Sequence, residues 1–287
     1  MLLHFGCPNC GADMTYNISL KKLHCDHCDY SEDFDEDKAE WVNSPIPDGE
    51  IYRTCPNCGG EVPAGNKTCS TKCEYCGTSL IITERLVGEY RPDTILPFTL
   101  DKTRAVDSFK KWCHNGRFAP AGFTSPKNIE NLKPLYIPFW IYDFDTRTSV
   151  DATATQVNIH VSGDTEYTET SFFDVHRDFD LEYDKVPYDA SEEVDDTLIS
   201  KILPYNFEDL TAFRMPYLAG FMTEQRDYAS DELAPLVKHQ VEGYISNYAN
   251  SSISGYSSVR INNMNINYAH EKASYAYLPL WFISYPY

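Results

Sequence analysis

Eight of the ten cysteines in this 287-residue chain fall into two frames of identical spacing. Each frame has two Cys-x-x-Cys pairs separated by 14 residues, and the second frame follows the first by 48 positions. The frames are Cys7, Cys10, Cys25 and Cys28, then Cys55, Cys58, Cys73 and Cys76. Both open with the wording Cys-Pro-Asn-Cys-Gly, which indicates an internal duplication.

This spacing is typical of metal binding. A Cys-x-x-Cys turn directs two thiolates at one ion, and two such turns complete a tetrahedral four-cysteine zinc site. We therefore predict two structural Zn²⁺ ions, one in each of two small β zinc ribbons. Since protein sulfur fills all four positions, neither ion can activate a water molecule. A ribbon of this size buries little apolar surface, so metal binding supplies its folding free energy.

Disulfide bonds, a redox motif and histidine ligands are the alternatives to two four-cysteine zinc sites. A disulfide framework is typical of secreted proteins, whereas this chain opens without the basic and apolar regions of a signal peptide. A redox Cys-x-x-Cys motif would need a surrounding βαβ pattern. His24 and His27, beside and within the second pair, are alternative ligands. Cys69 is expected to be a spare thiol, and Cys113 a core residue of a helix.

Composition and charge indicate a folded, acidic protein. The hydrophobic fraction of 42% and the aromatic fraction of 14% allow a sizeable core. The net charge is −19, and residues 1–90 carry 7 Lys and Arg against 15 Asp and Glu. Acidic charge in both parts of the chain argues against binding to nucleic acid. Without a signal peptide or an apolar run near the roughly 20 residues of a membrane helix, we expect a cytoplasmic protein.

The chain divides into four segments. We predict the first zinc ribbon at residues 1–30, an acidic linker at 31–50, the second ribbon at 51–90 and an α+β domain at 91–287. That domain is expected to be an antiparallel sheet with packed helices, because its segments alternate and are rich in β-branched and aromatic residues.

Several elements can be placed within 91–287. A short strand is predicted at Thr94–Leu100, and a helix from Asp101 to about His114 with Ala105, Phe109 and Trp112 or Cys113 on one face. Further helices are expected near Ser191–Leu203 and Asp231–Tyr248. Strands are expected at 135–142, 150–161, 165–183, 258–268 and 274–285.

One short sequence motif recurs in two of the predicted strands. Tyr136-Ile-Pro-Phe-Trp and Tyr277-Leu-Pro-Leu-Trp share a Tyr-apolar-Pro-apolar-Trp pattern. Either they are equivalent strands in two related halves of one domain, or they are two core strands that are alike by coincidence.

The sequence contains no recognisable catalytic constellation. It lacks a His-Glu-x-x-His motif, a Gly-x-Ser-x-Gly motif and a Cys–His pair of catalytic type. We therefore expect a non-enzymatic protein.

The two frames are followed by Arg91-Pro-Asp, Ile95-Leu-Pro-Phe, Tyr136-Ile-Pro-Phe-Trp, Tyr217-Leu-Ala-Gly and Leu278-Pro-Leu-Trp. With this series of segments, the chain resembles a bacterial family of TFIIB-type zinc-ribbon proteins. The resemblance covers nearly the whole chain. Relatives often carry the labels primosomal helicase-like or phage replication protein, although this sequence has no ATPase core. Other members resemble scaffold components of membrane-stress modules, alongside flotillin-like and phage-shock proteins.

The resemblance implies a zinc-stabilised adaptor or scaffold that binds protein partners, among them a flotillin-like or membrane-stress component. It also implies that longer members continue into hydrophobic helices, so we expect membrane association only through partners or through such an extension. The alternative is a zinc-ribbon protein that binds nucleic acid in replication or transcription. A third hypothesis is an enzyme whose site in the sheet domain has no recognisable motif.

Overall fold

The structure, a computed structural model, describes residues 2–34, 51–115, 123–194, 199 and 201–283. The acidic linker expected at 31–50 lies outside these residues from position 35 onward. The helix expected near 191–203 also lies partly outside them.

The first cysteine frame folds around a small antiparallel sheet. Its three strands are β2 (Thr15–Asn17), β3 (Lys22–His24) and β4 (Ser31–Glu32). In contrast, β1 (Leu2–Leu3) pairs antiparallel with β8 (Ser79–Ile82), which follows the last cysteine of the second frame. The first strand of the chain therefore belongs to the same sheet as the second frame.

The second cysteine frame consists of two hairpins. Strands β5 (Ile51–Thr54) and β6 (Glu61–Ala64) form a separate two-stranded antiparallel sheet. Strand β7 (Thr68–Lys72) pairs antiparallel with β8. Because β7 also pairs with a strand from the rest of the chain, this frame is continuous with the main sheet.

The remaining strands are β9 (Thr94–Ile95), β10 (Lys133–Ser162), β11 (Thr165–Asp189), β12 (Thr211–Ala212), β13 (Met222–Glu224) and β14 (Ser258–Phe282). The described strands of the main sheet run in the order β1-β8-β7-β13-β10-β14-β9-β12, with β11 paired to β10. The α+β class is confirmed, since the chain is mostly sheet with few helices. However, β10 pairs parallel with β13 and β14 pairs parallel with β9, so the sheet is mixed and the expectation of an antiparallel sheet is wrong for these pairs.

The two strands with the Tyr-apolar-Pro-apolar-Trp wording are neighbours and occupy matching positions. In β10, Tyr136 lies opposite Thr223 of its parallel partner, and in β14, Tyr277 lies opposite Ile95 of its own. The rings of Tyr136 and Tyr277 are 6.4 Å apart. Tyr277 donates its hydroxyl to the carbonyl oxygen of Glu224, on the strand that pairs with β10.

The tryptophans of this wording also make matching contacts. The indole N–H of Trp140 donates to the carbonyl oxygen of Tyr228 at 2.9 Å, and that of Trp281 to Leu100 at 3.0 Å. Tyr228 lies five residues after Thr223, which pairs with Tyr136. In the same way, Leu100 lies five residues after Ile95, which pairs with Tyr277. The shared wording thus corresponds to shared contacts around the centre of the sheet.

The structure gives the bounds of three α-helices and three short 3-10 helices, and residues 199, 201 and 202, in the segment where a helix is expected, are also helical. Helix α1 (Lys102–Asn115) matches its predicted position, and Ala105 and Cys113 are buried as expected. Of the two alternatives Trp112 and Cys113, Cys113 is the buried one and Trp112 is exposed. The other helices are α2 (Pro126–Glu130), α3 (Ser230–Ser252) and the 3-10 helices Thr83–Arg85, Gly88–Tyr90 and Met215–Leu218.

Contacts divide the chain into two compact units. The first comprises residues 1–140, 189–228 and 274–287, and it contains both cysteine frames. Its core is rich in aromatic side chains, including Tyr16, Phe98, Tyr136, Phe221 and Tyr277.

The second unit comprises residues 141–188 and 229–273. Helix α3 buries Leu233, Val237, Val241 and Ile245 at helical spacing, as predicted. The buried position that follows is Ala249, whereas Tyr248, predicted on this face, is exposed. Val150, Ala152, Ala154 and Val175 pack with Ala249 and Ile253 in the core of this unit.

Candidate metal centres

Four turns of identical geometry carry the eight frame cysteines, and we call them knuckles. They begin at Cys7, Cys25, Cys55 and Cys73. In each knuckle the first cysteine accepts a hydrogen bond at its carbonyl oxygen from the backbone amide four residues later, at 2.8–2.9 Å. Its own amide donates to the carbonyl oxygen five residues later, at 2.7–2.9 Å. These bonds fix the turn so that both sulfurs of a knuckle point to the same side.

The fifth position of every knuckle adopts a left-handed backbone conformation. Gly11, Gly59 and Gly77 have φ values of 77°, 74° and 78°. Glycine takes this conformation without the steric cost that a Cβ atom imposes. The remaining knuckle has Asp29 there, with φ of 58°, and Asp is among the side chains that tolerate the left-handed region best. The turn geometry therefore survives the one departure from the glycine pattern.

The knuckles meet in pairs and bring four sulfurs together at each of two centres. The Sγ atoms of Cys7 and Cys28 are 3.6 Å apart, and those of Cys10 and Cys25 are 3.5 Å apart. In the second frame, Cys55 lies 3.8 Å from Cys76, and Cys58 lies 3.8 Å from Cys73. All four sulfurs of each set lie within 4.8 Å of one another. These are the eight residues that the spacing predicts.

The sulfur geometry fits a tetrahedral thiolate site. With metal–sulfur bonds of about 2.3 Å, the edges of such a tetrahedron measure about 3.8 Å. The observed contacts of 3.5–3.8 Å agree with this value. Both cysteine sets are therefore positioned to hold a metal ion. The donor set of four soft thiolates suits zinc and iron–sulfur chemistry rather than magnesium or calcium.

Hydrogen bonds from neighbouring groups lower the pKa of one sulfur in each set to about 6. For Cys28 the donors are the side chain of Asn9 and the backbone amide of Tyr30. For Cys76 they are the hydroxyl and then the backbone amide of Thr78. These contacts favour the thiolate form in which cysteine binds a metal.

The pKa of another sulfur in each set is raised to about 12. A backbone amide lowers the pKa of Cys10 and of Cys58, but burial and the hydrogen bonds among the four thiols outweigh this effect. Four thiolates at such short range repel one another, so full ionisation of either set requires a cation between them.

The residues weighed as alternative ligands lie outside both sets. His24 shares its Nδ1 with the hydroxyl of Ser31 at 2.8 Å, and His27 is exposed. Cys69 is fully buried, and its thiol donates to the carbonyl oxygen of Arg85 at 3.8 Å. Among the described residues, the only groups of three or more His, Cys, Asp and Glu side chains close enough to share an ion are the two cysteine sets.

Hydrogen bonds tie the first frame to the second and to the main sheet. The carboxylate of Asp13 accepts from the backbone amide of Ser79 at 2.8 Å. The hydroxyl of Ser79 accepts from the amide of Gly220 at 2.7 Å. The amide of Tyr16 donates to the carbonyl oxygen of Ala219 at 2.9 Å. Both metal centres are thus built into one packed unit.

Aromatic packing adds to these hydrogen bonds. The ring of Tyr16 lies 5.1 Å from Tyr217 and 6.0 Å from Phe34, both edge to face.

Arg85 is almost fully buried and donates to the carbonyl oxygen of Thr68 at 2.8 Å. Its burial lowers the pKa of the guanidinium. Arg85 therefore fixes the start of β7 from inside the core.

Sequence reasoning missed most of these supporting residues. Asp13 and Ser79 belong to no motif, and their partners are far away in the sequence. The asparagines of the repeated Cys-Pro-Asn-Cys-Gly wording did carry a signal. Asn57 donates to the hydroxyl of Thr78 at 2.8 Å and reaches the sulfur of Cys76 at 3.8 Å.

No helix in the described part of the chain combines the length and the apolar character needed to cross a membrane. No family model matches the sequence, and no solved structure matches the chain. The chain is 36% identical over 288 residues to "Uncharacterized protein YdjG" of Bacillus subtilis (strain 168). That similarity spans 100% of this chain and 84% of the Bacillus subtilis protein.

Proposed function

This chain belongs to the family of the Bacillus subtilis protein YdjG, and for it we propose a non-catalytic function as a zinc-stabilised adaptor that binds other proteins. The observation that carries the proposal is the closed donor set at each centre. Four cysteine sulfurs converge at both sites, so a bound ion has no position left for water or substrate. Such a centre stabilises a fold rather than performing a reaction.

The eight cysteines would hold two Zn²⁺ ions. Bound zinc supplies folding free energy to segments with little core of their own. The hydrogen bonds from Asn9, Asn57 and Thr78 to the sulfurs would orient the thiolates and stabilise their charge. Because Asp13 and Tyr16 link the first frame to the rest of its unit, loss of zinc there would disturb more than the ribbon itself.

The nature of the partner follows from charge and from the resemblance to TFIIB-type zinc-ribbon proteins. A net charge of −19 favours partners with basic surfaces. The resemblance points to a bacterial cytoplasmic scaffold in a membrane-stress module, with a flotillin-like protein or another component of that module as the partner. Membrane association would then be indirect and made through the partner.

Co-purification from the native bacterium after chemical cross-linking tests the adaptor function. The full-length zinc-loaded chain should retain a protein partner, and the Cys55→Ser variant should lose it because the second centre cannot close. The matched control is Cys69→Ser, which alters a buried thiol outside both centres and should retain the partner. Partner retention by protein stripped of all zinc would contradict the proposal.

A second candidate function is nucleic-acid binding through the second ribbon. The observation in its favour is Tyr75, which is 72% exposed and lies inside the last knuckle, three residues after Lys72. An exposed aromatic ring can stack on a base, and a nearby cation can contact the phosphate backbone. Fluorescence anisotropy with labelled single-stranded and double-stranded DNA and RNA tests this candidate. Tight binding that weakens steeply with salt would support it, and no binding even at low salt would remove it.

A further inference from the structure

One face of the β10–β11 hairpin is left open by the described chain. The opposite face packs into the core of the second unit, where Val150, Ala152 and Val175 cluster with Ala249 of helix α3 and with Ile253, which follows the helix. Side chains alternate between the two faces along each strand. The residues between these buried positions therefore point away from the helix.

Contacts between the two strands assign residues to the open face. His176 bonds through Nδ1 to Asp151 at 2.7 Å, and Arg147 lies 3.8 Å from Asp180. Odd-numbered residues of β10 thus share the open face with even-numbered residues of β11. On the other face, near the tip, the rings of His160 and Tyr167 stack at 5.3 Å. The same alternation therefore holds from the base of the hairpin to its tip.

The tip half of the open face carries four exposed apolar side chains, together with Thr155, Thr168, Thr170 and Glu166. Val157, Ile159 and Val161 of β10 are 38%, 62% and 68% exposed, and Phe172 of β11 is 73% exposed. Scattered exposed apolar residues are ordinary, but these four form a patch on one face of one hairpin. Such patches mark interaction sites on soluble proteins. We call these four residues the apolar half of the hairpin face.

The base half of the same face is acidic. Its exposed carboxylates on β10 and β11 include Asp145, Asp151, Asp174, Asp178, Asp180 and Glu182. The cationic groups of these two strands on this face are Arg147 and His176, and His176 already bonds both Asp151 and Asp178. The six carboxylates form the acidic half of the hairpin face, and their potential attracts positively charged groups.

We propose that the hairpin face is a docking surface for a polypeptide segment of a partner protein. Aliphatic or aromatic side chains of that segment cover the apolar half, and its Lys or Arg side chains lie over the acidic half. This inference rests on the proposed adaptor function and gives it a location. A second copy of the chain stacked along the face would oppose two acidic rows, and an anionic bilayer would repel the acidic half.

Selection of a random peptide library displayed on phage tests the proposal, with the full-length zinc-loaded chain as the target. We expect enriched peptides that combine Lys or Arg with aliphatic or aromatic residues. Their affinity should fall at least tenfold for Ile159→Ser and for Asp178→Lys. The matched controls are Tyr167→Ser and Glu169→Lys, which also replace a large hydrophobic residue with Ser and an acidic residue with Lys, but on the opposite face of the same hairpin, and should leave affinity unchanged. All four positions are exposed, so the variants should fold, and thermal unfolding checks this.

Several results would overturn the proposal. These are a selection without enriched peptides, enrichment of acidic peptides, and binding that Ile159→Ser and Asp178→Lys leave unchanged. Binding to phosphatidylcholine–phosphatidylglycerol vesicles that depends on Ile159 would replace the partner segment with a membrane. Self-association that sedimentation velocity shows to depend on Ile159 would replace it with a second copy.

The cross-linking experiment distinguishes a wrong docking surface from a wrong adaptor function. If the Ile159→Ser, Asp178→Lys double variant still retains the cross-linked partner, the partner binds elsewhere and only the docking surface is refuted. If the wild-type chain retains no partner, the adaptor function itself is refuted.

Discussion

The hydrogen bond from the Ser79 amide to the Asp13 carboxylate joins the two cysteine frames, and replacing Asp13 with Ala should weaken the fold measurably. Ser79 is 3% exposed, so its amide would lose its partner without gaining water. A buried donor left unsatisfied costs about 1–3 kcal/mol. Removal of the half-buried carboxylate recovers part of its desolvation cost, since burial raises the pKa of Asp13. We therefore expect a loss near the lower end of that range.

Urea unfolding of the zinc-loaded chain gives the free-energy change, and amide hydrogen exchange locates it. In Asp13→Ala, exchange at the Ser79 amide should become faster, while amides in helix α3 should keep their protection. The control is Asp13→Asn, whose side-chain oxygen can still accept the bond and which should lose well under half as much stability. Equal stability of Asp13→Ala and wild type, with unchanged protection at Ser79, would refute the assignment of this bond as a link between the frames.

Three further predictions concern other parts of the chain. Cys73→Ser should reduce the metal content by one ion per chain, whereas Cys69→Ser should not, as plasma emission spectrometry can measure. Hydrogen bonds from His176 to Asp151 and then Asp178 raise its pKa, so its NMR titration midpoint should lie above the ordinary value and fall in Asp151→Asn. The stabilisation from protonated His176 is present at low pH and lost as pH rises through that midpoint. Val241→Ala in helix α3 should destabilise its unit by about 1–3 kcal/mol because a fully buried side chain is shortened, and an unchanged thermal midpoint would contradict this.

The metal centres could be predicted because their signal is local in sequence. Each knuckle needs only five residues, and the wording of the first frame recurs in the second. Helices α1 and α3 were predictable for a similar reason, since helical periodicity depends on neighbouring positions. Periodicity alone could not choose between Trp112 and Cys113, because the two are adjacent on the helix and both are compatible with the apolar stripe that Ala105 begins; Cys113 is the buried one.

The continuity of β10 was harder to predict. The sequence predicts separate strands at 135–142 and 150–161, and apart from Phe144 the residues between them are polar. In the structure β10 runs through this segment, with Thr146 and Thr148 buried and Asp145 and Arg147 exposed. Buried and exposed positions still alternate along this segment, but the buried positions include threonines, so the sequence does not show an alternation of apolar and polar residues. Thr146 is compatible with burial because its hydroxyl donates to the carbonyl oxygen of Leu181 at 3.1 Å.

Strand pairing between distant segments could not be predicted. The pairs β1–β8, β10–β13 and β14–β9 join segments whose sequences carry no sign of their partners. Their register depends on packing in the aromatic core around Tyr136 and Tyr277, which the sequence indicates only as apolar and aromatic composition. The repeated Tyr-apolar-Pro-apolar-Trp wording was the one long-range clue, and its two copies lie in adjacent strands.

Native mass spectrometry of the full-length chain, purified without added metal, tests most directly whether zinc stabilises this fold. We expect a mass increase that corresponds to two zinc ions per chain, and loss of cooperative thermal unfolding in the first unit after chelation. A chain that carries no zinc, has disulfides among the eight frame cysteines, or unfolds at the same temperature after complete metal removal would contradict this expectation.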